Sequence, residues 1–397
     1  MSNKAERLYF LDNMRSLVAI WVVVLHGAIS YMEYGPPYYA VIDSQRSVVF
    51  SLMVMLVEPT LMTAMFFIAA YFALPSLAAR GAGEFLKSKF LRIGGPWVLG
   101  VLLVNPSADY LIYLARKNPI GWFEFCTGEF WRLHYHQGPY WFLGVLMVFF
   151  VLFTLACKVM PGLMRRPDRV WIPSWWMLVV FWAVMTLGMF AVQAVWDTHG
   201  RFHIFGHIVA VMPHRIHIYS SFFILGLVAW RNRWFTSEGY NPRPAPWLVL
   251  LGVSMALYAA ILGLGTDERS LETLARVLHL DSESSTLHAA SQMKPVLKLL
   301  TAAVFNALSL SGLLGVGALF KRCFNSPGPV QRSLAANSLG IYFIHPVVLY
   351  PIAYLFLDIT TLPLAVKFSV VVSLGFFLSW AASALILRKA PLLRQLF

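Results

Sequence analysis

Arg15 and His26 bracket a run of ten residues, SLVAIWVVVL, nine of them apolar. Eleven positions on an α-helix amount to about 1100° of rotation and about 16 Å of rise, so both polar groups fall on one stripe. A cation at one edge of an apolar helix and an imidazole deep along the same face suit a long anionic molecule whose reactive end reaches the histidine. The bland alternatives are an arginine that snorkels to the interface and a histidine bonded into the core. Three further polar features share this depth range. Glu58 stands about 15 Å from the far end of the next apolar segment, just before Pro59, where a carboxyl that satisfies a kink competes with a functional one. His345 lies eleven residues into a later segment, level with His26, and both it and Glu58 are possible partners for that imidazole. Lys89 and Arg92, in KFLRIGGP, are one turn apart and form a phosphate seat by charge and by the planar fork of arginine.

Two more clusters have chemistry in them. GWFEFCTGEFWRLHYHQGPYW interleaves Trp122, Trp131, Tyr135, Tyr140 and Trp141 with Glu124, Glu129 and Arg132. That mixture stacks on sugar rings and bonds hydroxyls, or else forms an interfacial aromatic belt. HGRFHIFGHIVAVMPHRIH puts His199, His203 and His207 on one stripe if helical. Two histidines a turn apart can hold zinc, yet HExxH is missing and Gly200 and Gly206 weaken a helix. The expectation is no metal, with His199 and His203 as hydrogen-bonding or acceptor-contact residues.

The elements that position these groups follow from composition. Of the 397 residues, 59% are hydrophobic and 12% charged, with a mean hydropathy of +0.67. A soluble domain is about half apolar and a quarter charged, so the chain reads as an all-α, polytopic integral membrane protein. Runs of about 20 apolar residues fall near 14–32, 48–74, 91–114, 140–160, 174–196, 214–230, 246–265, 295–319, 334–356 and 362–387, ten spans in a single domain over 1–397. The longer connections, 115–139, 197–213 and 266–294, then share one side. On this count 20 basic residues and five acids lie on the side of the termini, 10 basic residues and 13 acids lie on the other, and Lys367 stays inside the last span. The positive-inside rule places both termini in the cytoplasm of a bacterial inner membrane. A cleaved leader in place of the first span would spoil that asymmetry. The net charge of +13 is accounted for by these flanks and does not require nucleic acid. Cys126, Cys157 and Cys323 are dispersed and odd in number, neither a disulfide framework nor a metal knuckle.

Taken in order, LDNMRSLVAIWVVVLH, KFLR followed by GGP, YWFLGVLMVFF and SLGIYFIHPVVLY resemble membrane acyltransferase family 3, the integral-membrane O-acyltransferases. The YFLDNMR opening and FFIAAYF look most like the branch that contains glucan biosynthesis protein C, which succinylates osmoregulated periplasmic glucans. The resemblance implies transfer of an acyl group from cytoplasmic acyl-CoA, as co-substrate rather than bound cofactor, to a sugar hydroxyl on the far side. Succinyl-CoA is favoured, with acetyl-CoA the alternative, and a periplasmic glycan is the acceptor. Depth and spacing fit that scheme with His26 as general base and Glu58 orienting it, and with Arg15, Lys89 and Arg92 as acyl-CoA-binding residues. Asp12 and His345 support them, and Trp122, Trp131, Tyr140, Trp141, His199 and His203 are candidates for the acceptor. A covalent acyl-histidine is a second route. The family's basic pair opens on arginine where this chain has Lys89, which puts a bidentate contact there in question, and Ala69 and Ala70 replace its usual Ser-Gly.

The membrane-bound O-acyltransferases, another many-spanning class with a buried histidine, lack the Arg, ten residues, His spacing. A transporter could use buried His and Glu in a proton relay, but paired interrupted spans in two halves are not evident. The lipid bilayer is the one certain partner at this stage. Oligomeric state is open, a homodimer being one option.

Overall fold

The computed structural model describes residues 8–36, 39–117, 120–196, 201–265, 286–326 and 328–397. Its elements are helices α1 (Tyr9–Ile29), α2 (Val48–Tyr71), α3 (Ala73–Arg80), α4 (Ala82–Ala115), α5 (Trp141–Val159) and α6 (Trp175–Val195). A hairpin of β1 (His203–Phe205) and β2 (Val209–Val211) follows, then α7 (Ile216–Arg231), α8 (Pro244–Gly265), α9 (Thr286–Cys323), α10 (Pro329–Leu355) and α11 (Leu364–Ala382). The chain is an all-α polytopic membrane protein. Among the described residues nine helices are long and apolar enough to cross a bilayer, one fewer than the ten spans expected. The tenth segment does form a helix, α7. Its 16 residues reach only about 24 Å, and it lies against α2, where Gly226 lets the two backbones approach at the Phe67 carbonyl.

Burial sorts the helices. The apolar windows of α1 and α9 are each 61% buried, whereas that of α8 is 11% buried and turns most of its surface outward. α1 packs against α2, α9, α10 and α11, so its polar residues sit at the centre of the bundle. The two ends of the described chain meet at one end of that bundle. Asn13 donates to the Phe324 carbonyl at 2.6 Å, and the terminal Phe397 ring packs on Phe343 beside the cavity that Arg15 lines.

Two local departures from α-geometry matter for the site. α4 carries π-helical turns at Phe90–Gly94 and Gly100–Val104, followed by Pro96 and Pro106 respectively. Proline has no N–H and crowds the carbonyl four residues earlier, so a widened turn before it is a natural adjustment. The stretch containing His203 and His207 is a hairpin, not a helix: Gly206 and His207 both have left-handed φ, each +57°. The stripe that a helix would have made is therefore not formed by His203 and His207.

Between α1 and α2 the chain is pinned inside the fold. Asp43 and Lys367 form a fully buried ion pair at 2.5 Å, and Asp43 also receives the Gln45 N–H at 2.9 Å. Lys367, which the sequence left stranded in the last span, has this partner. A buried charge is retained in an apolar interior only when paired in this way.

Candidate active site

α1 delivers His26 to the middle of the bundle, and α10 delivers His345 to the same place. Their ring centroids are 4.9 Å apart and the planes are tilted by 51°. His26 Nδ1 lies 2.8 Å from the Val22 carbonyl and His345 Nδ1 lies 2.6 Å from the Tyr342 carbonyl. A carbonyl only accepts, so in both rings Nδ1 carries the hydrogen and Nε2 holds the lone pair in the neutral form. The His345 Nε2 is buried and has no hydrogen-bond partner among the described residues. Tyr39 donates to the His26 carbonyl at 2.6 Å and fixes the end of the helix.

Two cavities lie toward opposite ends of the bundle: His26 lines the second, and the first reaches Val22 and Tyr342, one turn from the two histidines. The first, about 620 Å³, is lined by Arg15, Arg80, Lys89, Arg92, Arg388 and Arg394 at its wide end and by apolar side chains deeper in, ending around Val22, Phe142 and Tyr342. No Asp or Glu is among its lining residues. Six cations around a partly desolvated space make a strong seat for an anion. Arg15 is held by Asp12 at 3.5 Å and by the Ala335 carbonyl at 3.2 Å, and Lys89 lies over the Phe150 ring at 4.5 Å. The sequence-predicted trio Arg15, Lys89 and Arg92 thus shares one cavity with His26's own helix as its wall.

The second cavity, about 640 Å³, has His26 among its lining residues, with Tyr39, Asp109, Trp141, Arg116 and Arg201. Its wall contains a group that sequence reasoning counted among the acids but gave no role. Asp109 on α4 is buried and accepts at Oδ2 from His136 Nε2 at 2.8 Å and from Asn105 Nδ2 at 3.0 Å. Asn105 also donates to the His136 carbonyl at 3.1 Å. The Gly138 N–H donates to His136 Nδ1 at 3.0 Å, which in the neutral ring leaves the hydrogen on Nε2, facing Asp109. Gly138 has φ +48°, and a Cβ there would strike Asn105, so only glycine closes this corner. Burial pushes the His136 pKa down, and the Asp109 carboxylate more than reverses that, so it stands above its usual value. An acid inside a span is a functional signal in its own right. That signal was present in NPSADY, but the histidine partner comes from a loop 27 positions later and only the fold joins them.

Between the cavities is a reciprocal clasp. Tyr140 donates to the Phe343 carbonyl at 2.6 Å, while Tyr342 donates to the Pro139 carbonyl, so the start of α5 and the middle of α10 hold each other. Phe142 and Tyr342 face the basic cavity; Pro139 and Trp141 face the other.

Other candidates fall elsewhere. Glu58 does not orient His26: its carboxylate pairs with Arg215, whose guanidinium stacks on Phe305 at 4.9 Å. Depth along two helices sets level but not direction, and α2 presents Glu58 to the start of α7. Tyr140 is fully buried and spent on the clasp, so it is not an acceptor contact. Trp122 and Trp131 are exposed on the segment between α4 and α5, with Trp131 stacked on Tyr135 at 5.5 Å, and neither is among the residues lining the second cavity. Trp141 is among them. His203 is exposed on β1 against Trp196 and Phe205, and His199 lies outside the described residues.

Comparison with known proteins gives one positive result. A family model for acyltransferase family 3, described as an acyltransferase domain, matches residues 8–388. No curated protein and no solved structure matches the chain.

Proposed function

The chain belongs to acyltransferase family 3, and from that premise we propose that it carries an acyl group from acyl-CoA to a hydroxyl of a glycan across the bilayer. The observation that carries this reading is a pair of cavities on either side of one imidazole, the first lined by six cations and reaching Val22 one turn from His26, the second lined by His26 itself. The nucleotide phosphates of CoA occupy Arg15, Lys89 and Arg92, and the pantetheine arm runs along α1 toward His26. The acceptor enters the second cavity. His26 Nε2 takes the hydroxyl proton as the oxygen bonds to the thioester carbonyl carbon. The C–S bond breaks, and the proton passes to the departing thiolate to give free CoA. His345, with its own Nε2 lone pair beside the ring, takes the place once assigned to Glu58 in stabilising the imidazolium.

Succinyl is the group favoured by resemblance, on the YFLDNMR and FFIAAYF segments. The acceptor favoured by resemblance is a periplasmic glucan. The basic end, lined by Arg15 near the start of α1 and by Phe397, faces the cytoplasm of a bacterial inner membrane.

The test is transfer of labelled acyl groups by purified protein in lipid, comparing succinyl-CoA with acetyl-CoA on a glucan acceptor. Wild type transfers succinyl faster, and His26→Ala loses about 10²- to 10⁴-fold. Arg15→Ala raises the acyl-CoA concentration needed. Undiminished transfer by His26→Ala overturns the scheme.

A further inference from the structure

We infer that Asp109 is the anchor for the acceptor, binding a neutral polyol through its hydroxyls, with His136 and Asn105 as the residues that position it. The inference rests on the acyltransferase reading for the second cavity's purpose, and adds which chain atoms hold the acceptor there.

Three observations carry it. Both protein donors to Asp109 converge on Oδ2, from His136 at 2.8 Å and Asn105 at 3.0 Å. Oδ1 retains its lone pairs for a ligand in the cavity that Asp109 lines. The donors are themselves fixed, Asn105 by the His136 carbonyl and His136 by the Gly138 N–H, so the carboxylate is held in one orientation before any ligand arrives. Such prior ordering is what makes a charged acceptor useful in recognition.

The class of ligand follows from charge. A carboxylate accepts and cannot donate, so the group it binds must bring an O–H or N–H. Arg116 and Arg201 line the same cavity and disfavour a cation. An anion would gain from those two guanidiniums but would be repelled at Asp109 itself. A neutral polyol avoids both penalties: its hydroxyls donate to the carboxylate and accept from the guanidiniums. Trp141 on the same wall supplies an apolar face for the ring carbons. His26 borders the same cavity, so a sugar anchored at Asp109 is brought to the base that activates its hydroxyl.

The experiment compares full-length wild type with Asp109→Asn, His136→Gln and His136→Ala in lipid nanodiscs. Asparagine keeps the size and removes the charge; glutamine keeps an N–H toward Asp109, and alanine does not. Two quantities are measured: KM for a defined gluco-oligosaccharide at saturating acyl-CoA, and acyl-CoA binding without acceptor. The expected result is an oligosaccharide KM raised about ten- to a hundredfold in Asp109→Asn and in His136→Ala. His136→Gln stays near wild type, and acyl-CoA binding is unchanged in all. Asp109→Asn with an oligosaccharide KM within twofold of wild type overturns the inference. So does a parallel loss of acyl-CoA binding, which assigns the cluster to folding alone. Binding of the same oligosaccharide is also followed by Trp fluorescence in the absence of any acyl donor. Wild-type binding that Asp109→Asn loses supports the anchor even if no acyl transfer is found, and that second result would sink the acyltransferase reading by itself.

Discussion

An imidazole whose Nδ1 is committed to a carbonyl has one nitrogen left, and its environment decides what that nitrogen can do. For His26 and His345 the two rings are brought together in the bundle centre, each with Nδ1 committed. For His136 both are engaged, so it holds rather than reacts. That difference has a pH signature. Because the Asp109 carboxylate lifts the His136 pKa above 6.5 against the effect of burial, the stability from the charged pair is fully present below the unfolded value of about 6.5. It is lost as pH rises through the raised value. Hydrogen-exchange protection of residues 125–137, corrected for intrinsic rates, should therefore fall between mildly acidic and alkaline pH. Asp109→Asn should flatten that dependence, and an unchanged slope in the variant would remove Asp109 as the cause. At this scale the sequence was partly legible. His26 and His345 could be levelled by counting residues from the basic edge, because helical rise is uniform. Glu58 could be levelled too, but its pairing with Arg215 depends on which way α2 is turned, and the near-continuous apolarity of VVFSLMVMLVEPTLMTAMFFIAAY gives no amphipathic stripe to read that from.

Helices set which groups meet, and here α5 and α10 are tied through residues that line one cavity or the other. Removing the Tyr342 and Tyr140 hydroxyls frees two carbonyls and loosens the partition between acyl donor and water. The variant Tyr140→Phe with Tyr342→Phe should raise thioester hydrolysis without acceptor several-fold relative to transfer, since exclusion of water is what protects a reactive acyl group. CoA release measured with and without glucan reads this ratio; an unchanged ratio denies the clasp a sealing role. No pattern in GPYW or GIYFIH announced it, since each tyrosine is an ordinary interfacial or core residue until the partner backbone is known. The hairpin at 203–211 was legible only in part: Gly206 counted against a helix, but nothing in the sequence announced the left-handed backbone it shares with His207.

At the scale of the whole molecule, the all-α polytopic fold was the most legible property, because hydropathy reports burial in lipid directly. The count was less secure, since α7 is short enough to fail a length criterion while still lying within the bundle. Orientation can be read with a native probe. Cys323 is exposed at the basic end, Cys157 is buried, and burial pushes the Cys126 thiol up on the opposite side, which slows its reaction. With Cys126→Ser and Cys157→Ser in place, a membrane-impermeant maleimide should label Cys323 in inside-out vesicles and not in intact spheroplasts. The reverse pattern would invert the proposed orientation and put the acyl-CoA cavity on the wrong side.

The π-helical turns of α4 lie between the basic lip at Lys89 and the carboxylate at Asp109. Each adds about one residue to a turn, so the pair shifts everything beyond them by about 200° relative to a regular helix. Deleting one residue from each turn would leave a regular helix with Asp109 facing as it does now, because each widened turn absorbs its own extra residue. The same residues wound as an unbroken α-helix would insert and keep their cationic mouth, yet would carry Asp109 round to the far side. For this protein, a pair of alignment gaps at these turns would leave the candidate site in place, and losing the turns without a gap would move it.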